Sequence, residues 1–163
     1  MSGPDRLRFP RRLVIRLLED ATGEPAANIA MTLTLHARRK NDYHFAPSLS
    51  DSTGTINIDR DWVTSSIEET RNFFLMDYAS TLEDCLPFVH LKVMSGEEIK
   101  RAIDAAQVYK AAKERLGVML TVADLQNASN RAYELQEIRL SLEEPDVKIF
   151  EVPITLRLRS TAD

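Results

Sequence analysis

At 163 residues the chain fits one domain, which at this length buries roughly 70% of its unfolded surface, so a core needs no disulfide or metal staple. One cysteine, Cys85, excludes an intrachain disulfide, and a net charge of −4 predicts solubility rather than any particular partner. No run reaches the roughly 18 consecutive apolar residues of a membrane span. The opening Met1-Ser2-Gly3-Pro4-Asp5-Arg6 also lacks the apolar stretch of a signal peptide, so a cytoplasmic, reducing setting is expected.

Residues 1–11 read as a flexible basic arm, and 12–159 as a single domain. The apolar run Leu13-Val14-Ile15-Arg16-Leu17-Leu18 predicts a first strand. It leads into the turn Glu19-Asp20-Ala21-Thr22-Gly23-Glu24-Pro25 and an alternating strand from Ile29 to Leu35. A basic loop follows, then Ser50-Asp51-Ser52-Thr53-Gly54 and a strand Thr55-Ile56-Asn57-Ile58-Asp59. Two basic clusters flank the first two strands: Arg6, Arg8, Arg11, Arg12 and Arg16, then Arg38-Arg39-Lys40. If the two strands run in opposite directions, both clusters meet at one end. Arg11, Arg12, Arg38, Arg39 and Lys40 then form a candidate basic patch for phosphates or an acidic protein face. A solvated rim is the plainer account of such charge runs.

Beyond residue 59 the pattern turns helical. Ser65 with Glu68 and Ser66 with Glu69 have capping-box spacing, predicting a short helix over 66–78 whose face carries Ile67, Arg71, Phe74 and Tyr78. Val89, Leu91 and Val93 alternate with Phe88, His90 and Lys92, which predicts a strand over 86–94. Ser95 and Glu98 form another capping box, opening a helix over 96–116 that ends at Gly117. Its alanine-rich stripe permits close approach of another element, so Ala102, Ala106 and Tyr109 form a candidate interaction surface. Residues 118–134 read as helix or loop. Two antiparallel strands are expected to close the chain, with Ile138, Leu140 and Leu142 in one and Val152, Ile154, Leu156 and Leu158 in the other. Pro153 marks its strand as an edge or its first residue.

The unit from Leu13 to Asp59, with Asp20-Ala21-Thr22-Gly23-Glu24-Pro25 before its second strand and Asp51-Ser52-Thr53-Gly54 before a later one, resembles the transthyretin-like or carboxypeptidase-regulatory-like β-sandwich modules. In such turns Asp caps its own turn, Gly takes the positive φ and Pro fixes the exit. The resemblance covers under a third of the chain and implies a binding, spacer or regulatory module, usually without an active site. The one enzyme branch of that fold, hydroxyisourate hydrolase, ends in Tyr-Arg-Gly-Ser and uses histidines and an arginine around that tail. Here the tail reads Leu156-Arg157-Leu158-Arg159-Ser160-Thr161, so the resemblance does not carry that activity over.

Few parts remain for chemistry. Cys85 and His90 would supply a nucleophile and a base, yet on a regular strand their odd spacing sends them to opposite faces unless a bulge at Pro87 intervenes. A buried structural thiol is the more ordinary fate of such a cysteine. His36, Asp42 and His44 are the only local metal-type cluster, in a stretch read as exposed loop without recognised ligand spacing. No glycine-rich phosphate cradle is present, and no cofactor is implied.

The chain is therefore expected to be an α+β protein: a transthyretin-like antiparallel β-sandwich of about seven strands with two helical insertions. The leading function is a non-catalytic interaction or scaffold module contacting another protein or a second copy of itself. The alternatives are an enzyme or enzyme subunit using Cys85, His90 or His44, and polyanion or nucleic-acid binding through the basic end.

Overall fold

The computed structural model describes residues 7–38, 42–45, 47–74, 82–108, 125–134, 136–144 and 146–158. They form eight strands in two sheets and two α-helices. In chain order these are β1 (Arg12–Glu19), β2 (Ala30–Ala37), β3 (Tyr43–His44), β4 (Ser48–Leu49), β5 (Thr55–Asp59), α1 (Arg60–Phe74), β6 (Cys85–Val93), α2 (Gly96–Val108), β7 (Glu137–Ser141) and β8 (Ile149–Leu156). The three-stranded sheet runs β5-β1-β8. The five-stranded sheet runs β3-β2-β6-β7, with β4 also on β2.

Strand β1 is central, with a hydrogen-bonded neighbour on each edge. Leu13, Val14, Ile15 and Leu17 are buried, as expected of a strand flanked on both sides. β5 takes one edge antiparallel, with Ile15 opposite Ile56, and β8 takes the other in parallel, with Ile15 beside Val152. The two sheets contribute to one hydrophobic cluster, in which Leu13 and Ile15 of β1 join Leu33 and Leu35 of β2 and Val89 and Leu91 of β6. The segment 7–11, expected as part of an arm, is instead built in. Leu7 and Phe9 are buried in that cluster, and the Arg8 N–H donates to the Leu142 carbonyl at 2.8 Å.

The closing antiparallel pair expected from the sequence does not form. β7 joins β6 in the larger sheet, while β8 crosses to the other sheet and runs parallel to β1. Period-two patterning shows that each strand has one apolar face but is silent about which sheet receives it. Asp146, at φ 61°, turns the chain between the two sheets, and Arg11 and Arg12 donate backbone N–H groups to Val147 and Lys148. Pro153 sits on β8, whose only sheet neighbour among the described residues is β1, so its missing donor falls on an edge strand.

The turns follow their sequence chemistry. Asp51 Oδ1 accepts from Thr53 N–H at 2.8 Å, Thr53 Oγ1 at 2.6 Å and Thr55 N–H at 3.0 Å, and these bonds hold the Asp51 carboxyl below its usual range. Gly54 then takes φ +74°. A Cβ there would lie 2.5 Å from the Leu17 carbonyl oxygen, which no side chain tolerates.

Helix α1 begins six residues before the predicted start, directly off β5. The Arg60 N–H donates to the Arg11 carbonyl at 2.9 Å, and Asp61 sits in the first turn, where the helix dipole favours an acid. Ser65 and Ser66 therefore lie inside the helix instead of capping it. Val63 and Ile67, four apart, form its buried stripe. Helix α2 starts as the sequence requires: the Glu98 N–H donates to Ser95 Oγ at 3.1 Å and the Ser95 N–H to Glu98 Oε1 at 3.2 Å. Ile99 of α2 packs with Ala30, Met94 and Leu125 into a second, small cluster that also holds Ala102 and Ile103. The continuation of α2 beyond 108 and the predicted helix end at 116 lie outside the described residues.

Within 118–134, the described part ends in a short 3-10 turn whose Asn130 is 2% exposed. Its Oδ1 accepts from the Ala30 N–H at 2.7 Å, and its Nδ2 donates to the Ala30 and Met94 carbonyls at 2.8 and 2.9 Å. One amide thus satisfies three buried backbone groups where β2 begins and β6 ends.

The two turn glycines give a paired test. Gly23, at φ +70°, has nothing within 4 Å of the point a Cβ would occupy, in contrast with crowded Gly54. Gly23→Ala is expected to lose about 1–2 kcal/mol, the left-handed penalty alone, and Gly54→Ala clearly more, because the clash adds to it. Urea unfolding of both variants measures the difference, and equal losses would contradict the close approach.

Candidate functional site

The outward residues of the five-stranded sheet are set in rows by its register. Thr34 of β2 lies between His44 of β3 and His90 of β6, and His90 lies opposite Arg139 of β7. One step toward α2, Thr32 faces Lys92 and Lys92 faces Glu137. Strand alternation puts His36 and Phe88 on the same face as Thr34 and His90. All three histidines of the chain therefore share one sheet face with Arg139.

The pairing between β2 and β6 is irregular at one place. Leu35 pairs with Val89 but Ala37 with Cys85, so β6 spends four residue steps, through Pro87, where β2 spends two. The bulge considered for Pro87 is thus present, but an even offset preserves the facing of side chains. Cys85 stays inward and fully buried, while His90 stays outward. The Cys85 and His90 dyad does not form. Burial, and then the neighbouring Asp84 charge, push the thiol from its ordinary 9.0 up to about 11. A thiolate is scarce under those conditions.

What forms instead is a chain of rings. His36 Nδ1 meets Asp42 Oδ2 at 2.9 Å, and the other oxygen of Asp42 accepts from the Ala37 N–H at 3.2 Å. His36 Nε2 in turn hydrogen-bonds His90 Nδ1, the rings meeting edge to face with centroids 4.6 Å apart. A carboxylate only accepts, so the Nδ1 of His36 carries the proton given to Asp42. Phe88 packs beside both histidines, with centroids 5.4 Å from His36 and 5.7 Å from His90. The Arg139 guanidinium carbon lies 3.7 Å from the centroid of the Phe88 ring, a cation–π contact. His44 Nδ1 bonds Thr34 Oγ1 at 3.1 Å.

Two acids near this face are already engaged, while Glu137, two residues before Arg139 on β7, is exposed. Asp42 holds His36 and Ala37, and Glu98 Oε1 accepts from Lys92 Nζ at 3.2 Å as well as from Ser95. Among the described residues no carboxylate pairs with Arg139. Nor does any group of three or more His, Cys, Asp or Glu among them suit a metal: Asp42 and His36 meet as a hydrogen-bonded pair, while His44 turns to Thr34. His36 lies on a strand and is half-buried, not on an exposed loop.

The other sequence candidates belong to several elements. Arg11 and Arg12 are exposed at the start of β1, where Arg12 Nε donates to Asp59 Oδ1 at 3.1 Å. Arg38 follows β2 and gives its backbone N–H to the Asp84 carbonyl at 3.0 Å. Ala102 is partly buried against the small cluster under α2. Arg39, Lys40 and Tyr109 lie outside the described residues, as does the side chain of Ala106. Among the described residues no helix is long and apolar enough to cross a membrane.

No family model matches the sequence, and no curated protein matches it. Solved structures overlap with it weakly. A crystal structure of (S)-allantoin synthase aligns at TM-score 0.45 and 11% identity over 98% of this chain and 44% of that one, so this chain spans less than half of that protein. The 5-hydroxyisourate hydrolase of Klebsiella pneumoniae aligns at TM-score 0.37 and 14% identity over 91% of both chains. A 9R-lipoxygenase from Cyanothece PCC8801 aligns at TM-score 0.35 and 11% identity over 97% of this chain and 18% of that one. Overlaps at this level assign neither family nor activity.

The raised thiol has two consequences. Because the folded state keeps the Cys85 proton to higher pH than the unfolded state does, its stabilising share is whole below pH 9.0 and is lost as pH climbs toward about 11. At about pH 8, iodoacetamide should modify Cys85 at least about a hundredfold more slowly in the folded chain than in urea. Equal rates by mass spectrometry would contradict the burial.

Proposed function

We propose that this chain is a transthyretin-like two-sheet sandwich that serves as a binding module, and that its binding surface is the outer face of the five-stranded sheet. The ligand is a small molecule carrying a carboxylate or phosphate next to a flat group. The carrying observation is Arg139, held against Phe88 at 3.7 Å in the row that contains His90, with no carboxylate partner among the described residues. A guanidinium resting against a ring keeps its N–H fork available, and that fork suits carboxylate and phosphate oxygens. Phe88 and the imidazoles of His36 and His90 provide the surface for a flat group. The sandwich reading draws on the Asp51 to Gly54 turn and on the hydrophobic cluster that both sheets share.

The helix stripe is the weaker surface, because Ile99, Ala102 and Ile103 are spent on the chain's own small cluster. The basic end is weaker too, since Arg12 is already paired with Asp59.

Isothermal titration with benzoate and phenyl phosphate tests this reading. At least one should bind, more weakly as salt rises, and Arg139→Gln should reduce that affinity about tenfold, roughly 1.4 kcal/mol. An affinity unchanged by Arg139→Gln, or no binding of either compound, would remove the site.

A further inference from the structure

The same face holds more than a binding site needs, namely a carboxylate and two imidazoles bonded in series. We infer that this series makes His90 a general base, so that the chain carries out proton transfer on the anionic ligand held by Arg139. The inference rests on the reading of this face as the binding surface.

The carboxylate fixes where each proton sits. Asp42 accepts from His36 Nδ1–H, which leaves neutral His36 with a bare Nε2. That nitrogen faces His90 Nδ1, so His90 must supply the proton of the bond between them. His90 Nδ1–H donation leaves its Nε2 with an unshared pair. Free neutral imidazole in water favours the opposite tautomer, with the proton on Nε2. Asp42 and His36 are therefore positioning residues that invert that preference, and His90 Nε2 is the group that meets the substrate. Once His90 has taken a proton, its Nδ1–H still donates to His36 and the Asp42 carboxylate lies at the far end of the series, so the new charge is stabilised through the chain.

The surroundings match that role. The charged and titratable groups around His90 are Arg139 across β7, His44 beyond Thr34, and Lys92 and Glu137 one row along. Arg139 anchors the anion beside His90, which places a neighbouring O–H or a water within reach of Nε2. In the reaction with water, Nε2 takes one proton as the hydroxyl oxygen bonds to an acyl carbon of the ligand. The acyl–oxygen bond then breaks, and the proton passes from His90 to the departing oxygen. Water is the only co-reactant, and His90 returns to its starting tautomer.

Two readouts test this on the whole chain. The first is the 15N shifts of the histidine rings at a pH where both are neutral. Wild type should show His36 and His90 protonated on Nδ1, and both should change to Nε2 protonation together in Asp42→Ala. If that variant does not fold, His36→Phe keeps a ring beside Phe88 and should change His90 alone. His90 protonated on Nε2 in the wild type, or unaltered in these variants, would overturn the inference. The second readout is hydrolysis of 4-acetoxybenzoate to 4-hydroxybenzoate and acetate. The rate should fall at least about tenfold in His90→Phe and His36→Phe, and Arg139→Gln should act mainly by raising KM. Rates equal to wild type in His90→Phe would also overturn it. Should benzoate and phenyl phosphate binding fail while the tautomers stand, only the anion site falls; should the tautomers fail while binding stands, only the base falls.

Discussion

The structure depends on the register between β2 and β6. With Thr34 opposite His90, the six outward residues Thr32, Thr34, His36, Phe88, His90 and Lys92 form one face while Leu33, Leu35, Val89 and Leu91 close the core. A slip by one residue would send each of those sets to the wrong side. Two devices at opposite ends hold the alignment. Asn130 binds Ala30 and Met94 where β2 begins and β6 ends, and being 2% exposed it cannot exchange those partners for water. At the other end, β6 takes its two extra steps through Pro87, which carries Phe88 beside His36 without reversing any side chain. The Pro87 carbonyl in that stretch is satisfied by the Leu142 N–H at 3.0 Å.

That division gives each part of the chain a distinct task. The three-stranded sheet with its parallel β8 closes one side of the core, and α1 covers part of it through Val63 and Ile67. α2 lies against the Ala30 and Met94 end of the larger sheet through Ile99, and its capping acid Glu98 also holds Lys92. The polar face therefore has an apolar, helix-covered end, and toward the other end lie His36, Phe88 and Arg139. Two nearby acids are tied to other partners, Asp42 to a histidine and Glu98 to a lysine.

Features written within a few residues were legible in the sequence. Asp51 and Gly54 form the turn their spacing requires, Ser95 and Glu98 form their capping box, and the alternation of Val89, Leu91 and Val93 places them inward. Cys85 and His90 also keep the opposite facing that their odd spacing predicts, because the bulge adds an even number of residues. The remainder is non-local. Helix α1 starts at Arg60 because the chain leaves β5 beside Arg11, a contact that outweighs two good capping boxes at Ser65 and Ser66. The parting of β7 from β8 follows from the need of β1 for a second neighbour, which nothing in the residues from Glu134 onward announces. The histidine chain is hidden for the same reason: His36 and His90 are 54 residues apart and meet only through strand register. Asp42 and His36 are visible as neighbours, but with His44 they read as an exposed loop without ligand spacing, because nothing local shows that His36 meets His90 through strand register.

The most direct test of this account is the 15N–15N scalar coupling across the hydrogen bond between His36 Nε2 and His90 Nδ1, in protein labelled at its histidines. A resolved coupling between those two nitrogens is expected, with none linking either ring to His44. Sharp, assigned signals from both rings with no coupling between them would mean that the register does not bring the two imidazoles together, and the site built on it would fall.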